Sequence, residues 1–211
     1  MEIMDTCKHH KYQDRREAIL EEATKFFLEK GYAETSMSAI AAKVGGSKGT
    51  LWSHFPSKEA LFAAVVERLT DNFHKIYVNL LNPQSDIEVT LNQYGQLLLK
   101  NIVKPDKVAV HKLAVSECWR FPEVGRIFYE SGPKIAIHNL GLYLKSAMDK
   151  GQICQDDPEK TAGFFLHSLC AASIPSRLYN IPQPELLNNL EKDVSKIVSL
   201  FLKAYAPKKE K

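Results

Sequence analysis

Apolar residues recur along this chain at helical intervals, and the two-residue alternation of a strand is almost absent. Ile19, Leu20, Ala23, Phe26 and Phe27 fall on one face of a helix that Gly31 stops. Thr35 and Ser36 supply capping hydroxyls ahead of Met37, Ile40, Ala41 and Val44, a short amphipathic segment ended by Gly45-Gly46. Ser47 caps a second short segment whose Leu51 and Phe55 point to one side. Pro56-Ser57 restarts the chain, and Leu61, Phe62, Val65, Val66 and Leu69 open a longer helix running toward Leu80. Helices this short are marginal alone in water, so packing between the flanking longer helices must hold them.

Past Leu80, breaks at Asn82-Pro83-Gln84-Ser85, Lys104-Pro105-Asp106, Gly132-Pro133, Gly151 through Pro158 and Ile181-Pro182-Gln183-Pro184 predict roughly five further helical segments. In the last of them Leu186, Leu187, Leu190, Val194, Ile197, Val198, Phe201 and Leu202 form a stripe broader than one neighbour would cover. The preceding segment carries the small residues Ala171, Ala172 and Ser173, which allow close approach. The last two helices, about 158–178 and 185–205, are therefore the expected contact with a second copy of the chain. The basic tail Lys208-Lys209-Glu210-Lys211 is expected to be frayed and solvated.

Composition narrows the class. At 211 residues, 45% hydrophobic and 25% charged, the chain matches an ordinary globular protein of one or two domains. Its longest apolar run, Ala60 to Val66, falls far short of the roughly 20 residues of a membrane helix, and its N-terminus lacks the apolar core of a secretory signal. The expected location is the cytoplasm, with no membrane partner. Cys7, Cys118, Cys154 and Cys170 are scattered without a C-x-x-C pair, against both a disulfide framework and a zinc site. The net charge of +3 decides little, because residues 1–60 hold nine basic and nine acidic side chains. Any attraction to nucleic acid must come from where the basic groups lie.

Two short helices joined by a glycine turn and braced by a preceding helix describe a helix-turn-helix, whose second helix can enter the major groove of DNA. Lys48 and Lys58 each follow a serine at a predicted helix start. The helix dipole disfavours a cation there unless an anion binds nearby, and a DNA phosphate would supply one. The plainer reading makes each a solvated surface lysine.

Residues 14 to 72 also resemble the DNA-binding domain of TetR/AcrR transcriptional regulators. The likeness is carried by Arg16-Glu17-Ala18-Ile19-Leu20-Glu21-Glu22-Ala23, Phe27-Leu28-Glu29-Lys30-Gly31-Tyr32, Thr35-Ser36-Met37-Ser38-Ala39-Ile40-Ala41 and Ser47 through Phe62. The resemblance implies an all-α fold: a three-helix N-terminal helix-turn-helix domain over 13–73, with the motif at 36–55, and a larger helical effector-binding and dimerisation domain over 74–206. It implies a recognition helix from Lys48 through His54, with Gly49 allowing close backbone approach and Lys58 touching phosphate. Thr35, Ser36 and Ser38 would meet the DNA backbone, along with Ser47 at the helix start. Thr50 and Ser53 are short enough to read base edges. Trp52 stands where relatives commonly have tyrosine and would face the groove or pack in the core. His54 is either a phosphate contact or a surface imidazole. Val44-Gly45-Gly46 departs from the usual turn by losing an aliphatic side chain.

His111 through Tyr129 resembles, more loosely, the C-terminal domain of AcrR-like members. From it follow a homodimer and a pocket for an apolar or amphipathic small molecule, with His111, Glu117, Trp119, Phe121, Phe128, Tyr129, Phe164, Phe165 and His167 as candidate effector contacts. The function implied is a dimeric repressor released from a palindromic DNA operator by an effector. No catalytic residue, cofactor or metal is expected, since no G-x-S-x-G, P-loop, H-E-x-x-H or glycine fingerprint after a strand is present. A Cys118 or Cys170 nucleophile paired with His111 or His167, and a dimeric DNA binder that senses nothing, remain the competing readings.

Overall fold

A computed structural model describes residues 2–45, 48–171, 173–181 and 186–207, and side chains for 12–45, 49–70, 77–171, 173–181 and 189–207. Ser47, Gly46 and Ala172, the tail 208–211 and the side chains of Lys48, Leu186 and Leu187 lie outside that set. All regular structure among the described residues is helical. In chain order the helices are α1 (Glu2–Glu34), α2 (Met37–Val44), α3 (Lys48–His54), α4 (Lys58–Leu80), α5 (Ile87–Ile102), α6 (Pro105–Glu117), α7 (Pro122–Ser131), α8 (Pro133–Asp149), α9 (Pro158–Ala171), α10 (Ile174–Leu178) and α11 (Leu186–Ala204). None of the described helices is long and apolar enough to cross a membrane.

The sequence sets where these helices begin and end. Gly31 breaks α1 with φ 82° and ψ 172°, a conformation that costs glycine least. Ser36 Oγ accepts from the Ala39 amide at 3.1 Å to cap α2. Ser57 Oγ caps α4 through Ala60 at 3.0 Å. Asp86 caps α5 through Val89 at 2.9 Å. Pro105, Pro122, Pro133 and Pro158 each occupy the first turn of a helix, where a missing N–H costs nothing.

Two compact units result, one of residues 1–69 with 109–131 and the other of 70–108 with 132–211. In the first, Ile19, Leu20, Phe27, Leu51, Phe55 and Phe62 form a core with Leu113, Val124 and Ile127. The expected apolar faces of the short helices are thus the buried ones. In the second, α5, α8, α9 and α11 pack around Leu91, Tyr94, Leu140, Leu144, Phe165, Leu169, Val194 and Val198. Gly95 permits this packing, since a Cβ there would lie 2.8 Å from Val194 Cγ1 and 3.3 Å from Leu169 Cδ2.

Two expectations need correction. The part beyond Leu80 holds seven described helices, α5 to α11, because α6 and α7 are separate and the chain breaks again after Ala171. Pro122 divides α6 from α7, and the turn closes through the Phe121 amide on the Glu117 carbonyl at 2.8 Å. Pro175 lacks the N–H that would bond to Ala171 in a continuous helix, so the single helix expected over 158–178 is α9 followed by α10. Ala171 is exposed whereas Ser173 is buried, so the small residues do not form one helix face. Of the eight stripe residues on α11, Leu190, Val194, Val198 and Phe201 are buried within the second unit itself, and Ile197 and Leu202 are partly buried against it.

Candidate nucleic-acid interface

α2 is followed by Gly45, whose φ of 71° again suits a residue without Cβ, and α3 begins at Lys48. α3 buries Leu51 and is followed by buried Phe55, so its opposite face is the one left outward. Gly49, Trp52 and Ser53 are exposed there. Trp52 is 40% exposed, which places its indole on the outer face rather than in the core. Ser53 Oγ donates to the Thr50 carbonyl at 2.8 Å, leaving its lone pairs outward. Ser36 and Ser38 are exposed at the start of α2. This surface offers hydroxyls, an indole N–H and a close backbone, the groups that read base edges and grip phosphates.

Three other expected DNA contacts are turned inward. Thr35 is 2% exposed, and its hydroxyl donates to the carbonyls of Gly31 at 2.7 Å and Phe26 at 3.1 Å. Lys58 Nζ donates to the carbonyls of Tyr32 at 2.8 Å, Thr35 at 3.1 Å and Ala33 at 3.3 Å. It also lies 4.5 Å from the centre of the Tyr32 ring. His54 stacks on Tyr12 with centroids 4.0 Å apart, and its Nδ1 is buried without a hydrogen-bond partner among the described residues. Burial, then the charges of Arg16 and Arg15, hold its imidazole below the usual range.

Tyr12, Arg15 and Arg16 pack against the helix-turn-helix, a placement that periodicity alone does not single out. Arg15 donates from its guanidinium to the Gly45 carbonyl, and Arg16 lies 5.3 Å over the Phe55 ring. The early part of α1 therefore grips both the helix-turn-helix turn and the far end of α3. Such long side chains on a solvent-facing stretch look like ordinary surface charge in the sequence.

The expected effector residues divide between the two units. His111, Glu117, Trp119, Phe121, Phe128 and Tyr129 belong to the first unit, and Phe164, Phe165 and His167 to the second. His111 stacks on Phe128 at 5.0 Å, and burial pushes its imidazole down. Trp119 is 93% exposed and Tyr129 52% exposed. Phe121 packs edge-on to Tyr32 at 5.2 Å. Glu117 Oε1 accepts from the backbone amides of Tyr32 at 2.8 Å and Ala33 at 3.2 Å. Phe165 is a core residue, His167 is exposed, and Phe164 lines an apolar hollow of about 290 Å³ with Ile197, Leu200, Phe201 and Ala204.

Inside the second unit, the Tyr94 hydroxyl and Asn101 Oδ1 are buried without partners among the described residues. They stand seven residues apart on α5, two helical turns along one face. Burial, with the nearby Tyr77 adding to it, pushes the Tyr94 phenol up, and burial pushes the Cys170 thiol up to about 11. A thiol so protonated is a poor nucleophile. Polar residues recurring on the inward face of an apolar helix are the signal that would have found Tyr94 and Asn101.

Comparisons with known proteins agree with this geometry. Residues 19–65 match the family of bacterial regulatory proteins named for TetR, and residues 89–207 match the C-terminal domain of AefR-like transcriptional repressors. The transcriptional repressor ComR of Escherichia coli K12 is 35% identical over 80 residues, 37% of this chain and 38% of ComR, so the match spans well under two thirds of that relative. YhgD of Bacillus subtilis 168, an uncharacterised helix-turn-helix regulator, is 27% identical over 153 residues, 71% of this chain and 77% of its own. Among solved structures, the flavonoid-responsive regulator FrrA superposes with a TM-score of 0.81 at 29% identity, covering 93% of this chain and 99% of FrrA. A TetR-family regulator of Mesorhizobium loti MAFF303099 gives 0.81 at 25% identity over 92% and 98%. These are regulators rather than enzymes, and their likeness takes in both the helix-turn-helix and the helices after it. The chain belongs to the TetR family of transcriptional regulators, with a C-terminal domain of the AefR-like kind.

Proposed function

We propose that this protein is a dimeric transcriptional repressor that binds a palindromic DNA operator and is released from it by a small apolar or amphipathic effector. The outward face of α3, with Trp52 and Ser53 exposed opposite buried Leu51, is the observation that carries the reading. Residues 13–73 serve as the DNA-reading domain and 74–206 as the effector and dimerisation domain. Thr50, Trp52 and Ser53 read bases, while Ser36, Ser38, Ser47, Lys48 and Gly49 hold the backbone.

Effector binding is supported by the buried Tyr94 hydroxyl, which has no partner among the described residues. Burying an unpartnered polar group costs about 1–3 kcal/mol, which a ligand with a matching donor or acceptor would offset. FrrA is described as flavonoid-responsive, so flavonoids and simpler phenols are the first compounds to test. Dimerisation is supported by Phe164 on α9 and Leu200 on α11, each 57% exposed beside the hollow they line. The site of action is the cytoplasm, with no membrane involved.

The test starts from a random pool of DNA duplexes enriched on the purified protein, followed by titration of the enriched duplex with the protein and then with compounds. A single palindromic motif, bound with affinity that falls steeply with salt and weakened by one class of compound, is the expected result. Enrichment of no motif sinks the reading. A motif that no compound releases leaves a dimeric binder without a sensor.

A further inference from the structure

Beyond the break at Gly31, a short run of peptide groups, Tyr32 to Thr35, closes α1 and leads to the Ser36 cap of α2. Both sides of that run are occupied by charges from elsewhere in the first unit. Glu117, the last residue of α6, takes the amides of Tyr32 and Ala33 on a single carboxylate oxygen. Lys58, the first residue of α4, gives its ammonium to the carbonyls of Tyr32, Ala33 and Thr35. An ammonium has three N–H donors, and three carbonyls use them all. A Cβ at residue 31, already strained by its positive φ, would lie 2.7 Å from Glu117 Oε1 and would displace the carboxylate.

We propose that Glu117 and Lys58 are paired positioning residues that set the entry into α2, and that Lys58 acts on DNA through this joint and not as a phosphate ligand. Thr35, the last acceptor of the Lys58 ammonium, immediately precedes Ser36, where α2 presents its exposed hydroxyls. Orientation of α2, and through the turn of α3, thus depends on a carboxylate more than eighty residues away in sequence. The proposal rests on the DNA-binding reading above.

The test uses the full-length protein and the duplex enriched on the wild type, with a scrambled duplex of equal length as reference. Lys58→Met is expected to lower affinity for the enriched duplex roughly tenfold or more. The slope of log affinity against log salt stays at the wild-type value. A phosphate ligand would instead lose about 0.9 from that slope for each protomer, and that result overturns the proposal. Lys58→Arg separates the two cases again, because it keeps a cation for phosphate but replaces the three-carbonyl cap with a planar fork. Lowered affinity is expected, and wild-type affinity overturns the assignment.

Glu117→Ala is expected to lose affinity and to speed hydrogen exchange at the Tyr32 and Ala33 amides, while Glu117→Gln, which retains an acceptor oxygen, restores both. Wild-type affinity in Glu117→Ala counts against the clamp. Circular dichroism checks that each variant folds, and if the alanine and methionine variants fail to fold, the arginine and glutamine forms decide. A wild-type protein that enriches no duplex defeats the DNA-binding reading itself, before any variant is compared.

Discussion

Gly31 shows how one residue can carry two constraints. Its positive φ lies where a side chain is strained, and the space a Cβ would need is filled by Glu117 Oε1. The Ser36 and Ser57 caps were legible because their partners lie three residues away. The inward turn of Lys58 and Thr35 was not legible, nor was the role of Glu117. Their partners sit at separations from 4 to 85 residues, and a backbone carbonyl leaves no mark in sequence. The place of Lys58 at a helix start was legible, but not that its acceptors are the carbonyls of Tyr32, Ala33 and Thr35.

At the same scale, His54 makes stability sensitive to acid. Burial holds its folded pKa below the ordinary imidazole value of 6.5, so between the two the unfolded chain binds the proton first. The stability this burial allows is complete above about pH 6.5 and is lost as pH falls below it. The groups facing the ring are Tyr12, Arg15 and Arg16 from α1 and Phe55 beside it. His54→Gln is expected to show a smaller drop in melting temperature than the wild type between about pH 7.5 and about pH 5.5, with the remainder partly due to buried His111. Equal drops in the two proteins would remove His54 from the account.

Among the elements, α2, α3 and the start of α4 were readable almost to the residue because of the stops and caps at Gly31, Ser36, Gly45 and Ser57, whereas the extension of α1 back to Glu2 was not. The later helices were less so. A proline inside an apolar run marks a break only if the run is read as one helix, and Pro122 and Pro175 sit in stretches where apolar spacing continues on both sides. The closest packing in the second unit is also silent in sequence, since Gly95 could equally be a weak point in a helix. In the fold it admits α11 to α5. Gly95→Ala should therefore destabilise by about 1–3 kcal/mol despite alanine's better helix propensity, as urea denaturation would measure. A stabilised variant would mean that the two helices have slack.

For the whole molecule, family membership was legible from the first sixty-odd residues, whereas the arrangement of the later helices was not. Its candidate aromatics were chosen by type, and type does not separate a fully buried Phe165 from a 57% exposed Phe164 at the next position. The same difference bears on the proposed dimer face. Replacing Phe164 and Leu200 together with aspartate should convert the protein to a monomer by sedimentation analysis, with helical content retained, because neither side chain belongs to the core. A double variant that stays dimeric would move the interface elsewhere.

The grip of Tyr12, Arg15 and Arg16 on the end of α3 and its turn bears on how this protein should be cut. The family match begins at Ile19, so a fragment trimmed to that boundary keeps every core residue of the helix-turn-helix. It discards the guanidinium on Gly45 and the ring over His54. Such a fragment retains the shape of a reading head while its reading helix has lost the outer support that fixes its angle.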